Sequence, residues 1–206
     1  MTKIIGLTGR SGAGKGAVCA IFQKYGIPSI DADAVYHDLL SQKNACTDEL
    51  VAAFGAEILG ETGLVERKKL SAIIFGAENP SSRLHTLNAI THKYIMAQIW
   101  DLVHAHTANG ARAVIIDAPQ LFEAGVENAC DFTIGVIADT EQCLSRIMAR
   151  DGIPRDIAER RLAAQHDNDF FRQSCTAVIE NNTDLAALES QVRQIITDFE
   201  VSCHFA

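Results

Sequence analysis

Gly9-Arg10-Ser11-Gly12-Ala13-Gly14-Lys15 places three glycines and a lysine within seven residues. Glycines at that spacing let a backbone curl inward, so that its N–H groups and the start of a following helix face a polyphosphate. Lys15 would then reach the β- and γ-phosphates, as in a P-loop of the form G-x-x-x-x-G-K. Gly9, Gly12, Ala13, Gly14, Lys15, Gly16 and Ala17 are the candidate polyphosphate-binding residues. The motif continues with Ser or Thr, whose hydroxyl sits on Mg²⁺, whereas this chain has Gly16. The competing reading is a glycine-rich turn with a purely structural purpose.

Acids and arginines with matching chemistry follow. Asp31 and Asp33 end a short apolar stretch, Ile27 to Asp31. Asp33 stands where a base would take a proton from an acceptor hydroxyl, and Asp31 could orient that acceptor or cap the next helix. Asp117 closes the apolar run Ala113–Asp117, where an acid could hold Mg²⁺ directly or through water. A strand-end carboxylate bonded to a backbone amide is the alternative. Arg146 and Arg150 lie four apart, one helical turn, before the break Gly152-Ile153-Pro154. Guanidinium forks fit phosphate oxygens, and phosphoryl transfer depends on positioning and charge neutralisation. A lid carrying them would exclude water. A solvated basic face paired with Asp151, Asp156 and Glu159 is the plainer reading. His85, His92, His104 and His106 show no metal-ligand spacing, and Trp100 and the nine phenylalanines are expected in the core.

These residues need a scaffold. Ile4, Ile5 and Leu7 read as a buried strand, and Val18, Ile21, Phe22 and Tyr25 recur at helical spacing. Further strands are predicted at 27–31, 113–117, 132–137 and 177–179, and helices over 34–40, 50–54, 70–75, 84–103, 140–151 and 155–165. A closing helix would carry Leu185, Leu188, Val192, Ile195, Ile196 and Phe199 on one face. Short apolar strands alternating with helices predict a parallel sheet covered on both sides. The expected fold is α/β of the P-loop NTPase type: a three-layer α/β/α core with a five-stranded parallel sheet, a helical insertion and a short helical lid. The core is expected over 1–40, 110–138 and 175–206, the insertion over 41–109 and the lid over 139–174. In such a sheet, ligands sit outside the carboxyl ends of the strands.

The chain of 206 residues is 48% hydrophobic and 21% charged, an ordinary globular balance. Its net charge of −8 argues against nucleic acid as the main partner, though not against a small anion in a cleft of opposite local field. The first strand begins almost at once, leaving no room for a signal peptide, and no apolar run reaches transmembrane length. Six scattered cysteines without a Cys-x-x-Cys pair read as reduced thiols. A cytoplasmic protein without membrane partners is expected, as a monomer or weak homo-oligomer.

Taken together the residues resemble the dephospho-coenzyme A kinase family over nearly the whole chain. The matching pieces are Gly6-Leu7-Thr8-Gly9 with the loop, Ile30-Asp31-Ala32-Asp33, Phe54 to Leu59, Gly63 to Leu70, Ile74-Phe75 and Leu87 to His92. Further on come Pro119 to Glu123, Gln142 through Arg146 to Gly152, Arg161 to Gln165, and Val178 to Asn182. The resemblance implies transfer of the ATP γ-phosphoryl group to the ribose 3′-hydroxyl of dephospho-CoA, with Mg²⁺, as the last step of coenzyme A synthesis. It implies Gly12 to Ala17 along the ATP phosphates, Asp33 as base, Arg67 and His92 toward the acceptor in the insertion, and Lys15, Arg146 and Arg150 in catalysis, the two arginines from a lid.

The chain departs from that pattern at Gly16, at Arg10 in place of Gly, at Lys93 in place of Pro, and at Gln120 within Pro-Leu-Leu. Only Gly16 touches the chemistry; losing a hydroxyl near a metal costs about tenfold to a hundredfold in metal affinity or activity. Two other readings compete: a kinase with another nucleoside or nucleotide acceptor, and a weakened or silent ATP-binding homologue. Retention of Arg67 and His92 speaks against the first, and retention of Lys15, Asp33, Arg146 and Arg150 against the second.

Overall fold

The computed structural model describes residues 2–77 and 79–204. The chain divides into two units, one built from residues up to Ser29 and from His106 onward, the other from Ile30–Ala105. The segment 32–40, expected in the core, belongs to the second unit, and 139–174 belongs to the first.

The sheet has the order β2-β3-β1-β4-β5, and four of its five strands lie wholly in the first unit. Its strands are β1 (Lys3–Gly9), β2 (Ser29–Asp31), β3 (Ala113–Asp117), β4 (Phe132–Ile137) and β5 (Ala177–Glu180). β1 pairs in parallel with β3, Leu7 opposite Asp117, and with β4, Leu7 opposite Ile134; β4 pairs in parallel with β5. The chain approaches β2 with the Pro28 carbonyl accepting from Ile115 N–H at 2.8 Å. The fold is α/β with a five-stranded parallel sheet.

Period-two alternation sorts the strand residues onto two faces. Ile5, Leu7, Ala113, Ile115, Ile134 and Val136 enter one core with Val18, Ile21 and Phe22 of α1 (Lys15–Lys24). The same core takes Leu144 and Ile147 of α6 (Thr140–Asp151) and Leu188, Val192, Ile195 and Ile196 of α9 (Leu185–His204). The opposite face carries small residues where neighbours come close. A Cβ on Gly6 would meet Leu121 and Cys130 at 2.9 Å; one on Gly135 would meet Phe171 and Cys175 at 3.0 Å. Phe171 lies on α8 (Asn168–Ser174), a seven-residue helix that periodicity does not show. α7 (Arg155–Ala163) lies between α6 and α8 in sequence and packs on α6. Leu185 departs from the expected stripe: at the first position of α9 it is 59% exposed.

The second unit is helical. It contains α2 (Ala32–Leu40), α3 (Ala45–Phe54), a 3₁₀ turn at Ala56–Ile58 and α4 (Arg67–Phe75), and α5 (Pro80–Ala108) carries the chain out of it. α3 begins with a reciprocal cap: Asn44 Oδ1 accepts from Thr47 N–H, and Thr47 Oγ1 accepts from Asn44 N–H. Val35, Leu39, Leu50, Phe54, Ile58, Leu70 and Ile74 are buried, but Phe75, placed with the core phenylalanines from composition, is 63% exposed at the end of α4. Leu102 is likewise exposed, three residues after the buried Ile99. The non-family residue Lys93 is accounted for here: its Nζ lies 2.6 and 2.7 Å from the two carboxylate oxygens of Glu49, joining α5 to α3. Tyr94 Oη donates to the same carboxylate at 2.6 Å.

Candidate active site

In the first unit the carboxyl ends of four parallel strands open into the segments that carry chemistry. The glycine loop follows β1, Asp117 ends β3, Asp139 and α6 follow β4, and Asn181 follows β5. The loop's shape is set by close approach. Gly9, Gly12 and Gly14 have φ of +148°, +78° and +102°. A Cβ at any of them would fall well inside contact distance of another group: the Val136 carbonyl oxygen for Gly9, the Cys143 carbonyl oxygen for Gly12 and the Asn181 side chain for Gly14. Only glycine fits these positions without strain. Gly14 is the N-cap of α1 with no side-chain cap, so the first N–H groups of that helix depend on a partner from outside the helix.

Lys15 and Asp117 sit side by side, Nζ 3.9 Å from Oδ1, with side chains 15% and 16% exposed. One turn along α1, the Cys19 thiol donates to Asp117 Oδ2 at 3.7 Å. Burial and then the Asp117 charge push that thiol up to about 12, so at neutral pH it stays protonated and remains a donor. In the sequence Cys19 is one of six thiols without an assigned role. Its i+4 spacing from Lys15 is the signal that places both on one face of the helix.

Gly16 is open: a Cβ there would meet nothing within 4 Å. Nothing in the packing therefore calls for glycine at the position of the motif's hydroxyl. Among the described residues no cluster of three or more His, Cys, Asp or Glu could hold a metal alone. Mg²⁺ keeps several waters and needs only one or two carboxylates beside substrate phosphates. Asp117 next to Lys15 fits an ion of that kind.

The two arginines that share a helical face serve different neighbours. Arg150 forks onto Asp151 (Nε to Oδ1 2.7 Å, Nη2 to Oδ2 3.0 Å) and touches Ser11 Oγ at 3.3 Å, and Arg161 also pairs with Asp151. The Arg150 fork, with help from Arg161, holds the Asp151 carboxyl down at about 2. Arg146 instead faces the loop from behind. Its Nη1 donates to the Gly12 and Ala13 carbonyls at 3.1 and 3.4 Å, and its Nη2 to Gln142 Oε1 and the Asn181 carbonyl at 2.9 and 3.1 Å. Arg10, a non-family residue within the loop, donates to the Leu162 carbonyl at 3.2 Å, and Gln165 Oε1 accepts from Ser11 N–H at 2.9 Å.

The second unit holds the other candidates on helices. Asp31 caps α2, its Oδ1 accepting from Asp33 and Ala34 N–H at 2.9 and 3.1 Å, which is the capping alternative weighed for this residue. Asp33 stands exposed in the first turn of that helix. Arg67 opens α4 and its Nη1 contacts His37 Nε2. His92 Nε2 is buried without a hydrogen-bond partner, a costly state for an imidazole nitrogen.

The family model described as dephospho-CoA kinase matches residues 3–187. The chain is 35% identical to the dephospho-CoA kinase of Arabidopsis thaliana over 95% of this chain and 83% of that one. It is 36% identical to the dephospho-CoA kinase of Fusobacterium nucleatum over 93% of this chain and 95% of that one. The crystal structure of TT1252 from Thermus thermophilus superimposes with a TM-score of 0.81 at 29% identity, covering 96% of this chain and 97% of that one. Among the described residues no helix is long and apolar enough to cross a membrane.

Proposed function

The chain belongs to the dephospho-CoA kinase family, phosphotransferases acting on a hydroxyl group, and from that membership we propose how its own residues carry the reaction. The reaction is transfer of the ATP γ-phosphoryl group to the ribose 3′-hydroxyl of dephospho-CoA, giving CoA and ADP. The observation that carries the reading is the loop: three sterically required glycines, the uncapped start of α1, and Lys15 beside Asp117 at the carboxyl edge of a parallel sheet.

The N–H groups at the start of α1 bind the ATP phosphates, and Lys15 moves from Asp117 toward the β- and γ-oxygens as they arrive. Asp117 is the carboxylate that would hold Mg²⁺, with water in the space that a serine hydroxyl would occupy in place of Gly16, and the ion would supply positive charge against that developing on the phosphates. Asp33 takes the proton from the attacking hydroxyl. Asp31 keeps α2 started so that Asp33 is presented, while Arg67 and His92 bind the acceptor, whose polar atoms would satisfy the buried His92 Nε2. Arg150 belongs to a lid and neutralises phosphate charge, exchanging part of its contact with Asp151; Arg146 adds its charge from behind the loop. The proposed setting is the cytoplasm, and the five described cysteines are all free thiols.

The test is ADP release from Mg-ATP with dephospho-CoA, adenosine or AMP as acceptor, across a range of Mg²⁺ concentrations. Release that depends on dephospho-CoA and yields CoA is expected. Binding of ATP without release under any acceptor would instead make the protein a silent nucleotide binder.

A further inference from the structure

The Ala13–Gly14 peptide is gripped from one side by two side chains from distant parts of the chain. Asn181 Nδ2 donates to the Ala13 carbonyl oxygen at 2.8 Å, and Arg146 Nη1 reaches the same oxygen at 3.4 Å and the Gly12 oxygen at 3.1 Å. Both donors are themselves held. Asn181 is only 8% exposed and its backbone N–H donates to the Ile137 carbonyl at 2.8 Å. Arg146 is bonded to Gln142 Oε1 and the Asn181 carbonyl, and Gln142 Nε2 donates to the Asn182 carbonyl at 2.9 Å.

A trans peptide is planar, so its C=O and the next N–H point in opposite directions. Among the described residues there is no cis peptide. Drawing the Ala13 oxygen outward toward Asn181 and Arg146 therefore turns the Gly14 N–H inward, to the hollow of the loop. Gly14 holds φ +102°, ψ 28°, a conformation reached by glycine at little cost, and without an external grip the peptide could flip. A flip would present an oxygen where the phosphate needs a donor.

We propose that Asn181 and Arg146 are positioning residues for phosphoryl transfer: together they hold the Ala13–Gly14 peptide with its N–H facing the phosphates. Arg146 thus acts through the loop. Asn181, which the sequence shows only as part of the family-like piece Val178 to Asn182, is its partner. This rests on the reading of the loop as a phosphate cradle.

The experiment uses the full-length protein and inorganic tripolyphosphate, which has no nucleoside to bind elsewhere. Affinity is measured by calorimetry, and the Gly14 amide is followed by ¹H–¹⁵N NMR. Asn181→Ala should weaken tripolyphosphate and ATP by the same factor, about three- to tenfold, the size of one lost hydrogen bond. It should also move the free-state Gly14 amide resonance and abolish its shift on adding tripolyphosphate, and raise KM for ATP with KM for dephospho-CoA unmoved. Arg146→Lys, which keeps charge but loses the fork, should change the same resonance, and it serves if Asn181→Ala does not fold. Unchanged Gly14 resonance and unchanged tripolyphosphate affinity in a folded variant would overturn the proposal. So would an Arg146→Lys variant that loses ATP affinity while Gly14 stays put, since the guanidinium would then act on the nucleotide directly. Failure of the unsubstituted protein to bind tripolyphosphate would remove the phosphate reading itself, and this inference with it.

Discussion

The groups assigned to the nucleotide in the first unit are mostly backbone, and those assigned to the acceptor in the second are side chains on helices. Around the loop, three glycines back onto Val136, Cys143 and Asn181, and the carbonyls of Gly12 and Ala13 are bonded from behind. In Ile30–Ala105 the corresponding groups are Asp33 exposed on α2, Arg67 against His37, and His92 with a buried, unbonded nitrogen. A backbone cradle is fixed by shape and tolerates almost no added atom. A set of side chains on helices can be exchanged one at a time without disturbing the frame. The first arrangement suits a phosphate chain common to many reactions, and the second suits a particular acceptor.

The contrast predicts that substitutions in the second unit cut turnover cleanly, whereas those in the loop disturb binding. Asp33→Asn should give the largest effect, a fall in kcat of about 10²- to 10⁴-fold, the usual contribution of a positioned base. ATP affinity, measured by calorimetry, should stay as it was. An unchanged kcat would remove Asp33 from that role and the sharpest side of the contrast with it. Gly14→Ala should weaken ATP binding by about ten- to a hundredfold, from the backbone strain of a side chain at positive φ and its overlap with Asn181. Equal affinity for ATP in a folded Gly14→Ala protein would show the cradle to be softer than its geometry.

Gly16→Ser inverts the rule, because this loop-proximal glycine has open space around its Cβ position. The added hydroxyl should lower the Mg²⁺ concentration for half-maximal rate by roughly tenfold. Superimposable metal titrations would mean that Asp117 already compensates for the missing hydroxyl. The smallest effect concerns the Asp151 clip. Its carboxyl sits at about 2 in the folded protein against an ordinary 3.8, so its stabilising contribution is present above 3.8 and is lost as pH falls from there through 2. A ¹³C carboxyl titration should report that low midpoint and should move toward 3.8 in Arg150→Ala; no movement would mean Arg161 carries the pair alone.

The strands are legible in the sequence because a parallel sheet buried on both faces writes itself as continuous apolar runs: those at 113–117 and 132–137 coincide with the observed limits. The loop is legible because steric demand at three points leaves only glycine. What escapes depends on tertiary neighbours. α8 spans seven residues, too short for a helical period to show. Leu185 and Phe75 have core chemistry at the ends of helices, where the packing has run out. Asn181 looks like any turn residue until β5 delivers it beside Ala13. Arg146 stands out for its charge, and only the fold shows that its hydrogens point at carbonyls. The segment 32–40 falls outside the expected core because helical spacing gives no account of which neighbours a helix packs against.

Gly9, Gly12 and Gly14 each fit against a different later stretch of chain, at 136, 143 and 181. During synthesis the loop is made more than a hundred residues ahead of the surfaces that shape it. A ligand stabilises only the state that binds it. A nucleotide therefore offers nothing to the loop as it emerges, and rewards folding only after β5 has left the exit tunnel.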